Sequence, residues 1–258
     1  MTLPVRRLVA TALLAVTAGG CSTTARDPSP RQITVFAAAS LTESFTTIAG
    51  RFEAAHPGVH VRLVFGASSE LARQIVDGAA ADVFAAASST SVSTLTEAQL
   101  TSGKPAIFAR NELELAIPAD NRAGIHGLAD LARGNVKFAV CAVEVPCGAA
   151  AKKLLAAAGL RARPATYERD VKAVLAKVRL GEVDAGLVYR TDIRAESRAT
   201  STQRVKGIEI PEANQASNDY PIVAIKRDRP ATAASAFFDF VLSAKGRVVL
   251  ADAGFDAP

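Results

Sequence analysis

The sequence lacks most of the residue types on which catalytic and metal centres depend. Its 258 residues include no Trp, three His and three Cys. His56 and His60 have the spacing of a metal-binding helix face, but Pro57 and Gly58 separate them, and proline interrupts a helix. Neither a Gly-x-Ser-x-Gly elbow nor a P-loop occurs. We therefore predict a protein that is not an enzyme, binds no metal cation and uses no cofactor.

Aromatic residues are also scarce, and the basic residues are not grouped. Aromatics make up 5% of the chain, hydrophobic residues make up 49%, and the formal net charge is +5. Proteins that bind nucleic acids combine a basic stripe with aromatic side chains that stack on bases, so we expect no nucleic-acid partner. The core must consist mainly of Ala, Val, Leu and Ile, which favours helices packed closely on β-sheets.

The N-terminus has the features of an export signal. Arg6 and Arg7 precede an apolar run over residues 8–16, which is too short to span a bilayer. No later segment of the sequence is apolar over a membrane-spanning length. We predict a signal peptide over residues 1–20.

Small residues stand directly before Cys21. Ala18, Gly19 and Gly20 resemble the lipobox of bacterial lipoproteins, although Leu is usual where Ala18 stands. We predict that Cys21 is acylated and that the polar residues 21–31 tether the domain to the membrane. Secretory cleavage without lipidation is the alternative.

Apolar strands and amphipathic helices alternate after the tether. Residues 33–37 form a predicted strand, and residues 41–55 form a helix in which Phe45, Ile48 and Phe52 recur at helical spacing. Another strand, helix and strand follow up to residue 86. Consecutive strand–helix units in this order indicate a parallel sheet with helices on its faces.

A second series of strands and helices begins near residue 136. A last strand and helix, over residues 220–225 and 231–242, would return to the first series. Two series suggest two lobes, each with its own sheet. We predict lobe 1 over residues 32–112 plus 219–258, and lobe 2 over residues 113–218.

Small and hydroxyl residues occur at four of the predicted strand-to-helix junctions. A helix N-terminus exposes unpaired N–H groups and a partial positive charge, so it can bind an anion without a cationic side chain. In parallel sheets these junctions lie at the carboxyl ends of the strands, where ligands bind. The four junctions are at Ser40, at Ser68-Ser69, at residues 145–149 and at residues 169–172.

Each serine also has a simpler explanation as a helix cap. Ser40 and Glu43 have the spacing of a capping box, in which Ser40 caps the helix and Glu43 reaches back to the Ser40 N–H. Ser68 or Ser69, and likewise Asp170, could be ordinary N-caps. Taken one at a time, these residues favour capping.

The pair Cys141 and Cys147 remains once the N-terminus is removed. The two cysteines are six residues apart, and outside the cytoplasm such a pair can form a disulfide. Two buried thiols fit the sequence equally well, because spacing does not fix the geometry. The spacing and the missing partner histidines do not suit a metal site.

Six short motifs follow one another along the chain. They are residues 33–42, residues 71–84, residues 145–148, Asp170-Val171, residues 186–189 and Tyr220-Pro221. In this order they resemble the motifs of the periplasmic molybdate-binding proteins (the ModA family), over roughly residues 32–256. The resemblance implies a type II periplasmic-binding-protein fold. In that fold two α/β lobes, with mixed sheets flanked by helices, close over a ligand cleft.

The resemblance also implies a ligand and the groups that hold it. In the family, neutral hydrogen-bond donors bind the tetrahedral dianion molybdate or tungstate. Carried over by position, these donors are the hydroxyl and N–H of Ser40 and Ser68, the N–H of Cys147 and Val171, and the hydroxyl of Tyr189. Cys147 stands where the family usually has Ala, and a disulfide to Cys141 is expected to stiffen this loop.

From the resemblance we predict a binding protein of a transport system. It would be a monomeric lipoprotein on the extracytoplasmic face of the cell membrane that captures molybdate or tungstate and delivers it to the permease of an ABC importer. A cage of fixed donors would reject the smaller sulfate by distance. The alternatives are a receptor of the same fold for sulfate or another tetrahedral oxyanion, a hydrolase or transferase, and a lipoprotein that has lost its ligand.

Overall fold

The structure is a computed structural model that describes residues 31–199, 204–227 and 232–258. The predicted signal peptide, the predicted lipidation site Cys21 and the tether up to residue 30 lie outside these residues. Arg31, at the end of the predicted tether, already belongs to the first strand. Within the described part of the chain, no helix has both the length and the apolar character needed to cross a bilayer.

Ten strands and eight α-helices make up most of the described residues. The strands are β1 (Arg31–Ala38), β2 (Val59–Gly66), β3 (Val83–Ala85), β4 (Thr101–Asn111), β5 (Leu113–Pro118), β6 (Phe138–Cys141), β7 (Thr166–Glu168), β8 (Ala185–Tyr189), β9 (Val205–Ile208) and β10 (Asn218–Ile225). The helices are α1 (Thr42–Ala55), α2 (Ser68–Val76), α3 (Ser89–Glu97), α4 (Pro146–Ala157), α5 (Val171–Leu180), α6 (Arg190–Ala199), α7 (Thr232–Leu242) and α8 (Ala244–Ala253). Short 3-10 helices cover Ala39–Leu41, Leu128–Ala132 and Ala213–Ala216.

The first sheet has the strand order β2-β1-β3-β10-β4. β1 pairs in parallel with β2 and β3, whereas β10 is antiparallel to both β3 and β4. The returning strand β10 therefore makes the sheet mixed. Because β1 and β2 are parallel neighbours, the residues that follow them lie at the same edge of the sheet.

Helices cover both faces of the first sheet. On one face, Phe45 and Phe52 of α1 are fully buried beside Phe237 of α7, and the rings of Phe52 and Phe237 meet edge to face at 5.2 Å. On the other face, α2 and α3 bury Leu71 and Leu95. Burying a side chain of this size contributes about 1.5–3 kcal/mol. The helical spacing seen in the sequence thus places the core side of α1 correctly.

The second sheet has the strand order β7-β6-β8-β5-β9. β6 is parallel to β7 and β8, and β5 is antiparallel to β8 and β9. Helix α5 approaches β8 so closely that a Cβ at Gly186 would lie 2.6 Å from Val174 Cγ1. Glycine is needed for that approach. The predicted two-lobed α/β architecture with mixed sheets is confirmed.

Short connections hold the two sheets opposite each other. β4 continues into β5 through Glu112 alone, and residues 209–217 lead from β9 back to β10. The C-terminus adds a third contact, because Asp256 forms a β-bridge with Arg110 while Gly254 O accepts from Arg190 Nε at 3.2 Å. The carboxyl ends of β1 and β2 therefore face the carboxyl ends of β6 and β8.

The sequence pattern does not reveal α3, α6, α8 or β7. Helix α3 shows why, because most of its residues are Ser or Thr, which are weak helix formers. Ser88 caps it by accepting the Ser91 N–H, and its buried Val92 and Leu95 pack against the sheet. Tertiary packing therefore outweighs local propensity at this position.

Candidate functional site

A small cavity of about 20 Å³ lies between the two facing sheet edges. All five residues predicted as ligand donors line it, and each is nearly inaccessible to solvent. They are Ser40, Ser68, Cys147, Val171 and Tyr189. Four larger cavities, of about 300 to 630 Å³, contain only Ser40 from this set. This volume is little more than the roughly 10–15 Å³ that a single water needs, so the walls must move apart to admit a larger ligand.

Helix starts from both lobes point into this cavity. Ser68 is the first residue of α2, Cys147 is the second residue of α4, and Val171 is the first residue of α5. The N–H groups in the first turn of a helix have no partner within the helix. Pro146 opens α4 with a backbone angle already suited to a helix. Three sets of free N–H groups and three positive helix ends therefore converge on one point.

Small residues form most of the rest of the wall. Ala38 and Ala39 follow β1, Gly66 and Ala67 follow β2, and Ala87 follows β3. A ligand can therefore approach the backbone N–H groups without meeting a large side chain.

The predicted capping box at Ser40 is wrong. A 3-10 turn over Ala39–Leu41 separates β1 from α1, so α1 begins at Thr42 and Leu41 stands in the N-cap position without a side-chain cap. The Ser40 hydroxyl instead hydrogen-bonds Tyr220 Oη at 2.8 Å. Glu43 turns away and pairs with Lys172. The extra turn frees Ser40 to face the cavity.

The capping interpretation is wrong for Ser68 and correct for Asp170. Ser68 is not a cap, because α2 starts at Ser68 with Ala67 as N-cap. Its Oγ accepts the Ala87 N–H at 2.9 Å, which fixes the side chain and leaves its proton free. Asp170 is the N-cap of α5, since its Oδ1 accepts the Ala173 N–H at 2.9 Å.

Tyr189 ends β8 with a completely buried ring in the cavity wall. Among the described residues, its hydroxyl has no hydrogen-bond partner. Burial, with a smaller effect from neighbouring Tyr220, raises the pKa of Tyr189 well above its ordinary value. The phenol is therefore a neutral donor, and the neighbouring Tyr220 hydroxyl is not placed for a hydrogen bond of normal length and angle with it. Leaving such a group unsatisfied costs about 1–3 kcal/mol, so a ligand acceptor in the cavity would stabilise it.

The cavity wall contains no Lys, Arg or His. Lys172, which follows Val171 in α5, is held by Glu43 Oε1 at 2.8 Å and by Asp192 Oδ1 at 2.9 Å. Burial lowers the pKa of Lys172, but attraction to Asp192 and Glu43 outweighs it and leaves the pKa raised. Burial raises the pKa of Asp192, and Lys172 opposes that shift. The charge of Lys172 is thus already balanced, and an anion in the cavity would depend on neutral donors.

A disulfide joins Cys141, at the end of β6, to Cys147 in the first turn of α4, with the two Cα atoms 5.7 Å apart. Of the two states open from the sequence, the structure contains the disulfide. The neighbouring turn is closely packed, because a Cβ at Gly148 would lie 1.9 Å from Ala142 O. Covalent linkage and close packing together fix the Cys147 N–H at the cavity. No free thiol projects from either residue.

Two features of the site have no local signal in the sequence. Lys172 joins lobes by pairing with Glu43, and Tyr220 supports Ser40 from 180 positions away. Tyr220 belongs to one of the six motifs, but its position there does not reveal this contact. Elsewhere in the described chain, no group of three or more His, Cys, Asp or Glu side chains is arranged to hold a metal ion.

Comparisons with known proteins identify the family of the chain. The family model described as bacterial extracellular solute-binding protein matches residues 33–256. The molybdate-binding protein ModA of Mycobacterium tuberculosis (strain ATCC 25618 / H37Rv) is 41% identical over 228 residues, which cover 88% of this chain and 85% of that relative.

Solved structures show the same fold at lower identity. A periplasmic molybdate-binding protein of Azotobacter vinelandii superposes with a TM-score of 0.74 at 21% identity, covering 88% of this chain and 99% of that one. The sulfate-binding protein SubI of Mycobacterium tuberculosis H37Rv superposes with a TM-score of 0.76 at 19% identity, covering 88% and 87%. At such identities the likeness concerns the fold alone, so it does not choose between the two anions.

Proposed function

Since this chain belongs to the ModA family of bacterial extracellular solute-binding proteins, we propose that it captures molybdate outside the cytoplasm for an ABC importer. The observation that carries the proposal is the cavity, in which neutral donors from both lobes converge and the Tyr189 hydroxyl makes no hydrogen bond of normal geometry to a described residue. The 41% identical relative, a molybdate-binding protein, supports the choice of anion.

The proposed ligand set divides between hydroxyl and backbone donors. The hydroxyls of Ser40, Ser68 and Tyr189 and the N–H groups of Cys147 and Val171 would each donate to an oxygen of the dianion, with the N–H groups of Ser40 and Ser68 adding further donors. A hydrogen bond to a charged group contributes about 1.5–3 kcal/mol. Several such bonds, with three helix N-termini, can replace the water that a dianion loses on entering a closed cavity.

Size is the proposed basis of selectivity. Sulfate has the charge and shape of molybdate but shorter bonds to oxygen, so it cannot reach all the donors of a rigid cage at once. Unsatisfied buried donors are costly, which makes the rejection effective. Tungstate is nearly the size of molybdate, and we expect the cage to bind both.

Ligand binding would favour closure of the two lobes. With lobe 1 taken as residues 32–112 plus 219–258 and lobe 2 as residues 113–218, Ser40 and Ser68 belong to lobe 1, whereas Cys147, Val171 and Tyr189 belong to lobe 2. An anion held by both sets stabilises the closed form, which a permease can distinguish from the open one. The proposal includes a monomer anchored to the cell membrane through acylated Cys21.

The same residues favour binding over catalysis. The only acid in the cavity wall, Asp170, is occupied in capping α5 and in an ion pair with Arg169 at 3.5 Å. No described histidine lines the cavity to act as its acid–base partner. We therefore extend the proposal to a carrier that releases its ligand unchanged.

Calorimetric titration of the processed chain tests the proposal. Cys21→Ser prevents acylation and keeps the protein in solution, and the titrants are molybdate, tungstate, sulfate and phosphate. We expect tight binding of molybdate and tungstate with one site per chain, and no measurable binding of the other two. Equal binding of sulfate would favour a receptor for sulfate or another tetrahedral oxyanion. Binding of none would contradict oxyanion capture altogether.

A further inference from the structure

A buried chain of hydrogen bonds runs from the crossover between the lobes to Ser40. Asn111 is the last residue of β4, and Glu112 alone separates it from the second sheet. Asn111 Nδ2 donates to Thr191 Oγ1 at 2.9 Å and, over a longer 3.4 Å, to Tyr220 Oη. Tyr220 Oη in turn lies 2.8 Å from Ser40 Oγ. All four side chains are buried, so the chain is shielded from water.

The backbone fixes which way the Asn111 amide faces. The Glu112 N–H donates to Asn111 Oδ1 at 3.0 Å. A backbone N–H is always a donor, so the atom that faces it must be the amide oxygen. The amide NH₂ therefore faces Thr191 and Tyr220, and each of its two protons has one of these hydroxyl oxygens as acceptor.

This orientation favours one direction for the hydrogen bond between Tyr220 and Ser40. Because Tyr220 Oη accepts from Asn111, its single proton is available for Ser40 Oγ, and we infer this direction for a 2.8 Å contact in which either hydroxyl can donate. Ser40 Oγ then acts as an acceptor toward Tyr220. Its own proton is left to point elsewhere, and Ser40 lines the cavity. A hydroxyl can donate only once, so the direction of the bond between Tyr220 and Ser40 decides what Ser40 presents to a ligand.

We propose that Asn111 and Tyr220 are positioning residues that hold the Ser40 hydroxyl as a hydrogen-bond donor toward the bound oxyanion. The inference rests on the proposed function. A serine turned the other way would present a lone pair to a dianion and repel it. A donor fixed before the ligand arrives loses little freedom on binding, which favours affinity.

Aromatic packing holds the phenol of Tyr220 in this role. Its ring meets Phe255 at 5.2 Å, Tyr189 at 6.0 Å and Phe108 at 6.2 Å, each edge to face. Burial raises the pKa of Tyr220, so the proton needed for the bond to Ser40 stays in place at neutral pH. The relay also joins the crossover to the site, because Asn111 lies next to Glu112 and bonds Thr191 at the start of α6.

A double-mutant cycle between Tyr220→Phe and Ser40→Ala tests the relay through molybdate affinity. Tyr220→Phe keeps the ring and removes only the hydroxyl, and we expect it to weaken binding about fivefold to tenfold. In a Ser40→Ala background the same substitution should change affinity by no more than about twofold, because the group that it positions is already gone. Tyr167→Phe, at an exposed tyrosine on β7 outside the cavity, is the matched control.

Asn111→Asp tests the direction of the relay. The carboxylate keeps an acceptor for the Glu112 N–H but has a second acceptor in place of the NH₂. Tyr220 would then donate its proton to this carboxylate, and Ser40 would donate its proton to Tyr220. At about pH 8, above the ordinary carboxyl pKa, we expect this variant to bind molybdate more weakly than Ser40→Ala does. Adding Ser40→Ala to Asn111→Asp should then restore affinity about fivefold or more, because the repelling lone pair is removed.

A purely structural role would give other results. The relay would be overturned if Tyr220→Phe lowered molybdate affinity equally in the parent protein and in Ser40→Ala. It would also be overturned if adding Ser40→Ala to Asn111→Asp restored no affinity. Thermal unfolding of each ligand-free variant separates loss of folding from loss of affinity. If the parent protein itself binds no molybdate, the proposed function fails. If the parent binds and the cycle is additive, only the relay fails.

Discussion

Replacing Tyr189 with Phe removes a single oxygen atom from the proposed cage. It should change the molybdate affinity and the free energy of unfolding in different ways. The hydroxyl is buried and makes no hydrogen bond of normal geometry to a described residue, so it contributes little to the stability of the ligand-free protein. In the complex it would donate to a charged oxygen. Tyr189→Phe should therefore weaken molybdate binding while leaving the ligand-free protein intact.

The magnitudes follow from ordinary hydrogen-bond energies. A bond to a charged acceptor contributes about 1.5–3 kcal/mol, so we expect affinity to fall about 10-fold to 150-fold. The free energy of unfolding without ligand should stay unchanged or rise by about 1 kcal/mol, because a buried hydroxyl without a partner is removed. Lower molybdate affinity without lower stability distinguishes a ligand donor from a packing residue, because loss of a packing residue lowers both.

Calorimetry gives the affinity, and urea unfolding without ligand gives the stability. Tyr167→Phe, which removes a hydroxyl from the same residue type at the exposed surface, should change neither. Unchanged molybdate affinity in Tyr189→Phe would take Tyr189 out of the site. A lower stability without ligand would show instead that the hydroxyl has a structural partner.

Three further predictions concern the surroundings of the site. Lys172→Met leaves the buried carboxylate of Asp192 without its cation and should lower the free energy of unfolding by about 3–5 kcal/mol, measured in urea. Glu43→Gln, at the half-exposed partner of Lys172, should lower it by less than about 1 kcal/mol. Equal losses in the two variants would contradict the conclusion that Lys172 mainly compensates the charge of Asp192. Burial raises the pKa of Tyr189, in the cavity wall, and of Tyr220 behind Ser40 above their ordinary value of about 10, so both remain donors and calorimetry should show no loss of affinity from phenol ionisation between about pH 7 and pH 10. Because the folded pKa exceeds the unfolded one, their contribution to stability is complete below about pH 10 and is lost only as pH rises through the folded value. Gly148→Ala, whose Cβ would lie 1.9 Å from Ala142 O, should destabilise the fold by about 1–3 kcal/mol in urea and weaken molybdate binding by shifting the start of α4, and a fully stable variant would refute the close packing.

Much of the fold follows from local pattern. The spacing of Phe45, Ile48 and Phe52 predicts the buried side of α1, and the alternation of strands and helices predicts the parallel part of each sheet. Helix α3 does not follow, because its Ser and Thr residues oppose a helix and only the packing of Val92 and Leu95 on the sheet stabilises it. Such long-range compensation has no signature in neighbouring residues.

For the site as well, some residues can be predicted from the local sequence, whereas others become evident only in the fold. Small residues and serines at strand ends mark Ser40 and Ser68 as candidate anion donors, but their helix-capping interpretation fails because a 3-10 turn and a one-residue shift change where the helices begin. Cys147 and Val171 enter the predicted set only through the family resemblance, since a backbone N–H leaves no trace in residue type. The support of Ser40 by Tyr220 spans 180 positions and becomes visible only in the fold.

Anomalous diffraction above the molybdenum absorption edge, from crystals of the processed protein grown with molybdate, tests the central claim most directly. We predict one strong peak per chain, inside the cavity between the two sheet edges. Its surrounding oxygens should lie within hydrogen-bond distance of the Ser40, Ser68 and Tyr189 hydroxyls and of the Cys147 and Val171 N–H groups. A peak at any other position, or an empty cavity in a protein that binds molybdate in solution, would contradict the proposed cage.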